Sequence, residues 1–471
     1  NVRFPEPSVI MRYISTRGRT EPMAFKDAVI TGMAPDGGLL IPQEIPSVAA
    51  ELDTFRDLPF VPFAQRLIAL YVDDIPPEIL DHLIERAYAS FDHPEVVPFR
   101  SLKGLAGNHD VEVMELFHGP TLAFKDVALQ LLGQLFEYIL EERHAHLNIL
   151  GATSGDTGSA AIAGVRGLPS VDVFIMFPEG RVSPLQERQM TTIPDENVHC
   201  LAVEGSFDDC QSLMKGLFAD AGAKSTLSLG AVNSVNWARV LAQIVYYGYA
   251  SLRFARTERV SFCVPTGNFG NVFAGYLAKR MGFPIDKLVI ATNDNDILAR
   301  FFETGEYRRG TVHHTTSPAM DIQVASNFER YLYYYFDEDA ERLRAFMESF
   351  AETGCASVGG RPDTDDFLAT AVSEAEVRHT IRRVYEKNGY VVDPHTAVGL
   401  AAAERFRVPG VQICAATAHP AKFPESVNEA IGRDVAHHPT LDALADLPVR
   451  KTRIPATTEA VRAFLDQHVR G

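Results

Sequence analysis

The feature that most constrains the fold is a repeated order of strand, glycine-rich turn, helix and strand. An apolar segment at 146–150 leads into a polar turn rich in glycine, a short helix of small residues and a second apolar segment at 171–177. The same order recurs between the apolar segments 260–264 and 287–292. Strands that alternate with helices in this way predict parallel sheets with helices packed on their faces.

The length and composition indicate a multidomain protein that acts on a small molecule. With 471 residues, of which 46% are hydrophobic and 22% charged, the chain can bury large cores in two or more domains. Its formal net charge of -17 argues against a nucleic-acid partner, which would require a basic face. No apolar run reaches the length of a membrane span, so we expect no membrane partner. The five cysteines are scattered without a C-x-x-C pair, which favours reduced thiols and a cytoplasmic location.

The pattern divides the chain into three predicted units. Residues 11–95 show the helical spacing of apolar residues and are expected to form a mainly helical N-terminal unit. Residues 96–235 and 236–471 each contain the strand–loop–helix order and are expected to form two α/β domains. The second of these domains is expected to include a helical insertion at about 300–365, either a lid or an ordinary peripheral layer.

A lysine at the start of a predicted helix is the first candidate for chemistry. An apolar strand over 111–117 breaks at a His-Gly-Pro turn, and a helix is predicted over about 121–142. Lys125 falls in the first turn of that helix, where the partial positive charge of the helix end disfavours a cation and lowers its pKa. A lysine that is partly deprotonated at neutral pH is a nucleophile suited to a Schiff base. On the lysine alone, a solvated surface lysine whose stem covers apolar surface remains the alternative.

Two glycine loops at predicted helix starts are candidate anion sites. Gly-Asn-Phe-Gly-Asn at 267–271 lies between a strand and a helix, where glycines admit a ligand and free N–H groups favour a phosphate. A tight strand-to-helix turn is the alternative for this loop. Thr-Ser-Gly-Asp-Thr-Gly at 153–158 offers hydroxyl and amide donors, and we expect Asp156 to cap the helix or to point away from the anion.

The two loops and the lysine together suit one kind of cofactor. One loop suits a cofactor phosphate, the other suits a substrate anion, and the lysine suits an aldehyde. This combination points to pyridoxal 5'-phosphate, which proteins hold through its aldehyde and its phosphate. A nucleotide-binding kinase or a dehydrogenase is disfavoured, because the chain has neither the Walker A lysine nor G-x-G-x-x-G at these loops.

Six segments in one order resemble the threonine synthase family. The segment His-Gly-Pro-Thr-Leu-Ala-Phe-Lys-Asp at 118–126 looks like the pyridoxal-lysine segment of that family. The other five segments lie at 13–18, 154–158, 233–239, 267–271 and 417–425. The resemblance covers nearly the whole chain from Met11 and is greatest for the longer bacterial and fungal branch.

The resemblance implies a fold-type-II pyridoxal enzyme, similar to the tryptophan synthase β-subunit, with two α/β domains and the cofactor between them. It implies conversion of O-phospho-L-homoserine and water to L-threonine and phosphate, by γ-elimination and β-addition of water, as the last step of threonine biosynthesis. By position, Lys125 would be the catalytic Schiff-base lysine, and Thr417 would place its hydroxyl near the pyridine nitrogen. The cofactor phosphate would be held by Gly267, Asn268, Phe269, Gly270 and Asn271.

The substrate phosphate requires a positive charge and hydrogen-bond donors. Arg239, on a helix predicted over 231–251, is the preferred cation, with a structural salt bridge as the alternative and Lys422 as a second candidate. The expected donors are Ser154, Thr157 and Asn236. We assign Asp156 to the same substrate-binding set, although related fold-type-II enzymes have an asparagine there that contacts the phenolic oxygen of the cofactor.

Other functions and sites are less favoured. The nearest rival is another fold-type-II enzyme, such as a threonine dehydratase or a β-replacement synthase, and the segments 233–239 and 417–425 favour the synthase. A homologue that only binds is disfavoured by the intact Lys125. The histidine pairs at 313–314 and 437–438 lack the spacing and the companion ligands of a metal site, so we expect no metal. For the assembly we expect a monomer or a homodimer.

Overall fold

The fold combines two parallel sheets with helices on their faces. The computed structural model of the chain describes residues 10–106, 109–153, 155–220, 222, 226–255, 258–362 and 364–470. Its strands are β1 (Tyr13–Ser15), β2 (Leu40–Pro42), β3 (Phe99–Ala106), β4 (His109–Glu115), β5 (Leu147–Ala152), β6 (Val171–Pro178), β7 (Val198–Glu204), β8 (Leu229–Gly230), β9 (Val260–Pro265), β10 (Ile285–Thr292), β11 (Glu306–Arg308), β12 (Cys355–Ser357), β13 (Phe367–Ala371), β14 (Val411–Ala416) and β15 (Thr452–Pro455).

Helices fill most of the remaining described chain. They are α1 (Phe25–Thr31), α2 (Leu52–Phe55), α3 (Phe60–Ile68), α4 (Pro77–Tyr88), α5 (Lys125–Arg143), α6 (Asp156–Val165), α7 (Pro184–Thr191), α8 (Phe207–Ala219), α9 (Trp237–Phe254), α10 (Gly270–Arg280), α11 (Ile297–Thr304), α12 (Phe328–Tyr335), α13 (Ala340–Thr353), α14 (Glu374–Asn388), α15 (Pro394–Arg405), α16 (Pro424–Ile431), α17 (Pro439–Asp442) and α18 (Thr458–His468). Short 3₁₀ turns lie at Pro318–Met320, Pro420–Lys422 and Ala443–Asp446.

The two large sheets are parallel apart from one edge strand. The larger sheet runs in the order β13-β10-β9-β14-β4-β3, with β3 antiparallel to β4. The smaller sheet runs in the order β15-β7-β6-β5-β8 and is parallel throughout. The prediction of an α/β fold with two parallel sheets is therefore confirmed.

Sheet membership does not follow the predicted boundary between residues 96–235 and 236–471. Strands β3 and β4 belong to the larger sheet, where Val111 and Val113 pack in one core with Cys263 of β9. Strand β15 joins the smaller sheet beside β7 and buries Ile454 in its core. Both pairings join segments that are far apart in the sequence, so local patterns do not reveal them. The limits of the domains remain a prediction.

The N-terminal unit is mainly helical, as predicted, and it packs on the helix that carries Arg239. The Tyr13 hydroxyl donates a hydrogen bond of 2.6 Å to the carbonyl oxygen of Tyr71. The rings of Tyr13 and Tyr71 lie 5.8 and 5.9 Å from the ring of Trp237 at the start of α9. These fully buried aromatic contacts tie α9 to the N-terminal unit.

Two helices begin later than the sequence pattern indicates. Helix α5 begins at Lys125 because Leu122 has a left-handed φ of 58°, which a helix cannot contain. Helix α9 begins at Trp237 because the Asn236 side chain caps it by accepting a hydrogen bond of 3.1 Å from the Ala238 N–H. Lys125 nevertheless lies in the first turn, as predicted.

The segment 300–365 is only partly helical. It contains α12, α13 and an antiparallel pair of strands, β11 and β12, which the sequence pattern does not show. Its aromatic side chains pack on Phe269 of the glycine loop, with the Phe328 and Tyr331 rings 5.1 and 5.8 Å from that of Phe269. This segment therefore supports the loop at 267–271 from one side.

Four strand ends bring the predicted site segments together. The carboxyl ends of β4, β14, β9 and β10 lie side by side, with Glu115 opposite Ala416 and Ala291 opposite Pro265. The turn before Lys125, the segment after Ala416 and the glycine loop therefore share one edge of the larger sheet. In open α/β sheets this is the edge at which ligands bind.

Candidate active site

The turn that precedes Lys125 is fixed by hydrogen bonds on both sides. The Phe124 N–H donates to the carbonyl oxygen of Thr417 at 2.9 Å, so the turn is joined to the segment after β14. The Thr121 hydroxyl and N–H donate to the two oxygens of Asp126 at 2.7 and 2.8 Å. A Cβ at Gly119 would lie 2.3 Å from the Cβ of Asp126, so only glycine fits this close approach.

Lys125 is buried, and this excludes the solvated alternative. Only 9% of the residue is exposed, and Nζ lies 3.6 Å from Oδ2 of Asp156. Burial is the main cause that lowers the pKa of Lys125, and the positive charges of Lys422 and Arg239 lower it further, while Asp156 acts in the opposite direction. The amine is thus more readily neutral than that of a surface lysine, which suits a nucleophile and a base.

Asp156 lies between two buried amines at the first residue of α6. Its Oδ1 accepts hydrogen bonds of 3.0 Å from Lys422 Nζ and 3.0 Å from Gln186 Nε2. Burial alone would raise its pKa, but Lys422 and Lys125 hold the pKa of this carboxyl well below its usual range. Asp156 is therefore an anion whose charge is shared by two lysines.

The glycine loop at 267–271 has the features of a phosphate site. Phe269 takes a left-handed φ of 66° and directly precedes α10, whose first N–H groups have no partner within the helix. Oδ1 of Asn271 accepts hydrogen bonds from the hydroxyls of Tyr246 and Tyr247 at 2.5 and 2.9 Å. Its Nδ2 is buried without a partner in the described part of the chain. A phosphate oxygen would satisfy this donor, so the residues present fit the phosphate of the cofactor.

The same loop is tied to the segment before α9. The Ser326 hydroxyl donates to Oδ1 of Asn268 at 3.2 Å and lies 2.9 Å from the hydroxyl of Ser234. A Cβ at Gly267 would lie 2.9 Å from the carbonyl oxygen of Ala319, so the loop passes closely under the segment 317–320. The loop is thereby held between two neighbouring segments.

Arg239 carries a buried guanidinium in the first turn of α9. The residue is 4% exposed, and its Nε and Nη1 make no hydrogen bond to any described residue. No salt bridge to Arg239 is found within the same ranges, so the structural salt bridge that the sequence left open is not seen there. Burial lowers the pKa of this guanidinium to about 10, but it remains charged at neutral pH. A buried unpaired cation is costly unless an anionic ligand completes the site.

The remaining predicted residues lie close in the sequence to these groups but differ in their contacts. Thr417 is buried directly after β14, and Thr157 is partly exposed in the first turn of α6. Asn236 uses both polar atoms inside the protein, because its Nδ2 donates to the carbonyl oxygen of Val29 at 2.8 Å. Ser154 lies outside the described residues.

Sequence reasoning did not show how Lys422 and Gln186 are used. Lys422 Nζ donates to the carbonyl oxygen of Thr121 at 2.7 Å and is fully buried beside Asp156. Gln186 reaches the same carboxylate from α7. The local Pro-Ala-Lys-Phe sequence is compatible with a surface lysine and with a substrate-binding lysine. The pairing of Lys422 with Asp156 could therefore not be predicted from it.

The described ranges were searched for metal sites and for membrane-spanning helices. They contain no group of three histidine, cysteine, aspartate or glutamate side chains placed to hold a metal ion. No helix within those ranges combines the length and apolarity needed to cross a membrane.

The class of protein follows from the fold, the site and a family comparison. A buried lysine and a glycine loop at the carboxyl edge of one sheet, with the start of a helix from the second sheet beside the lysine, are the features expected of a fold-type-II pyridoxal enzyme. The family model "Pyridoxal-phosphate dependent enzyme" matches residues 92–412. The expectations of that fold class and of pyridoxal phosphate as the cofactor are confirmed.

Two further family models define the particular family. "Threonine synthase N terminus" matches residues 12–88, and "Threonine synthase, C-terminal" matches residues 396–465. The chain belongs to the threonine synthase family. It is 45% identical to the threonine synthase of Pseudomonas aeruginosa over 97% of this chain and 98% of that protein. It is 46% identical to the threonine synthase of Schizosaccharomyces pombe over 89% of each.

Solved structures agree with this assignment. The PLP-bound threonine synthase from Brucella melitensis superposes with a TM-score of 0.94 at 43% identity, covering 98% of this chain and 100% of that one. The threonine synthase from yeast gives a TM-score of 0.92 at 41% identity, covering 98% and 99%. The similarity to the threonine synthase branch predicted from the six segments is therefore confirmed over nearly the full chain.

Proposed function

We propose that this protein converts O-phospho-L-homoserine and water to L-threonine and phosphate, using the site around Lys125 and Arg239. The observation that carries this proposal is the pairing of a buried amine of lowered pKa with a buried guanidinium that has no anionic partner among the described residues. The positive charge of Arg239 lowers the pKa of Lys125, so the guanidinium lies within electrostatic range of the amine. Such a site offers a base for carbon acids and a receptor for an anionic leaving group.

We assign cofactor-binding roles to residues at the shared edge of the larger sheet. Lys125 would hold the aldehyde carbon, Asn271 and the start of α10 would hold the phosphate, and Thr417 would face the pyridine nitrogen. The loop residues Gly267, Asn268, Phe269 and Gly270 would shape the phosphate site around Asn271. When bound, pyridoxal phosphate supplies a ring that accepts the negative charge left by deprotonation next to the substrate amine.

Lys125 has the properties of the proton carrier. Its Nζ extends from the first residue of α5, is shielded from water and loses a proton more readily than that of an ordinary lysine. We assign to it removal of the proton from Cα of the substrate and the later return of a proton to the product. A well-placed general base of this kind contributes about a hundred- to ten-thousandfold to the rate.

Arg239 has the properties of the phosphate receptor. Its Nε and Nη1 offer two free donors and a full positive charge, which favour the dianionic group both when bound and when leaving. Thr157, in the first turn of α6, and Ser154, which lies outside the described residues, are the proposed additional donors. Asn236 fixes the helix start that carries Arg239, and its role as a direct substrate ligand remains a prediction, as does that of Asp156.

Product analysis tests the proposal. The full-length protein, loaded with pyridoxal phosphate and given O-phospho-L-homoserine, is expected to release threonine and phosphate in equal amounts. L-homoserine is the matched control substrate, because it lacks the anion that Arg239 would bind, and it should give no threonine. Phosphate accompanied by an oxo acid would replace the synthase with a lyase such as threonine dehydratase. Absence of phosphate release would refute the proposed reaction.

We also propose the finer features of the setting. The described cysteines are all free thiols, four of them buried, which supports a reducing, cytoplasmic location. The acidic composition supports small-molecule rather than nucleic-acid partners. We propose a monomer or a homodimer, and light scattering during size-exclusion chromatography distinguishes the two by mass.

A further inference from the structure

Two lysines share one carboxylate in the interior of the protein. Lys422 Nζ is 3.0 Å from Oδ1 of Asp156, and Lys125 Nζ is 3.6 Å from Oδ2. Lys422 has a fully buried side chain, and those of Asp156 and Lys125 are 7% and 10% exposed. One negative charge therefore faces two amines that water scarcely reaches.

The two amines are not equivalent. Lys422 makes two short contacts, because it also donates to the carbonyl oxygen of Thr121 at 2.7 Å, in the turn that precedes Lys125. Gln186 occupies the same Asp156 oxygen as Lys422, at 3.0 Å. Lys125 has only the longer contact to the other oxygen. The carboxylate is thus held by Lys422 and is only loosely associated with Lys125.

We propose that Lys422 is a positioning residue for Lys125. It fixes the Asp156 carboxylate and compensates its charge, so that Lys125 keeps only the longer contact of 3.6 Å to that carboxylate and is available as a neutral amine. If Lys422 were absent, Asp156 would become the exclusive partner of Lys125 and would hold a proton on it. This inference rests on the proposed role of Lys125 and reassigns Lys422, which the sequence offered as a substrate-phosphate ligand.

Three other charged groups interact with Lys125, Asp156 or Lys422. Arg239 of α9 acts on Lys125, His395 of α15 acts on Asp156, and Asp126 of α5 interacts with Lys422. Asp126 is occupied by the Thr121 hydroxyl and N–H. When Lys422 is replaced, the interaction between Asp156 and Lys125 is therefore the one expected to change.

The test measures the ionisation of Lys125 without any substrate. The full-length protein is stripped of cofactor and mixed with pyridoxal phosphate, and the rate at which the visible chromophore forms is followed against pH. The reaction requires the neutral amine, so the pH midpoint of the rate reports the proton affinity of Lys125. We compare the wild type with K422M, D156N and the double variant, and use K103M, at an exposed surface lysine, as the control.

The single and double variants form a double-mutant cycle in which the pH midpoint of the rate is compared. K422M raises the midpoint by about one pH unit or more, a tenfold slower reaction below the midpoint. D156N lowers it. The double variant lies above D156N by much less than K422M lies above the wild type, because the direct repulsion between the two lysines is the smaller part of the effect of Lys422. If K422M does not fold, K422Q retains a donor for the Thr121 carbonyl and is expected to show the same upward shift.

Three results decide the matter. An unchanged midpoint in K422M or K422Q overturns the inference. A double variant displaced from D156N as far as K422M is from the wild type also overturns it, since Lys422 would then act directly on Lys125. A wild-type protein that forms no chromophore through Lys125 would instead refute the proposed function, so the two failures are distinguishable.

Discussion

Replacement of Arg239 by methionine should change stability and activity in opposite directions. The guanidinium has two buried donors without a described partner, and leaving such donors unsatisfied costs roughly 1–3 kcal/mol or more when they are charged. R239M removes them and fills the space with an apolar chain of similar length. We therefore expect the substrate-free protein to become more stable by about 1–3 kcal/mol.

The same substitution should severely reduce turnover of the phosphorylated substrate. Two charge-assisted hydrogen bonds to a phosphate contribute about 1.5–3 kcal/mol each, so about 3–6 kcal/mol is lost. At about 1.4 kcal/mol per factor of ten, kcat/KM should fall by about a hundred- to ten-thousandfold. R239K retains the charge without the fork of donors and should lose less.

The assay combines urea unfolding of the substrate-free protein with phosphate release from the loaded protein. R253M is the matched control, because Arg253 lies on the same helix with its side chain 42% exposed and a 3.5 Å ion pair to Glu95. That variant should change stability by less than about 0.5 kcal/mol and leave kcat/KM intact. If R239M is destabilised by several kcal/mol and its activity falls only with the folded fraction, Arg239 is a structural residue and the reasoning fails.

Three further changes have defined outcomes. K125A should lose the visible chromophore and at least the hundred- to ten-thousandfold that a general base contributes, as measured by absorption and phosphate release; retained activity in a colourless protein would contradict the assignment. N271D keeps the acceptor for Tyr246 and Tyr247 but replaces the free Nδ2 donor with a carboxylate oxygen, so the Kd for pyridoxal phosphate should rise at least about tenfold in equilibrium binding, and unchanged affinity would place the phosphate elsewhere. The His118 ring is hydrogen-bonded to Asp92 and Glu115. Burial opposes its charge, but the two carboxylates raise its pKa. Protonated His118 therefore stabilises the fold fully below its unfolded pKa of about 6.5, and this stabilisation is lost as pH rises through the folded pKa. Urea midpoints of H118Q should therefore be lowered at pH 5.5 and approach those of the wild type at pH 9, and an equal deficit at both values would contradict the charge argument.

Local patterns predicted most of what depends on neighbouring residues. The strand and helix alternation and the position of Lys125 in a first turn follow from apolar spacing, turn residues and helix ends, and the structure confirms them. The glycine loop was correctly placed between β9 and α10. What local spacing could not give is which strands pair, since β15 joins β7 across about half of the chain through contacts of Ile454.

The candidate site shows the same division between local and distant information. The six family-like segments indicated the elements of the site, but each residue's partner depends on distant segments. Asn236 was predicted as a substrate ligand, and its side-chain amide donates a hydrogen bond to the carbonyl oxygen of Val29 in the N-terminal unit. Lys422 was predicted as a minor phosphate ligand, yet it is held by Asp156 and Thr121. Such partners follow from the tertiary arrangement of three separate segments.

The most direct test of the account asks which amine carries the cofactor. Lys125 and Lys422 are both buried beside Asp156, so chemistry must distinguish them. The full-length protein loaded with pyridoxal phosphate is reduced with sodium borohydride, and the modified peptide is located by mass spectrometry. We expect the label on Lys125 alone. A label on Lys422 would contradict the central claim, because the nucleophile would then be the lysine that we assign to holding the carboxylate.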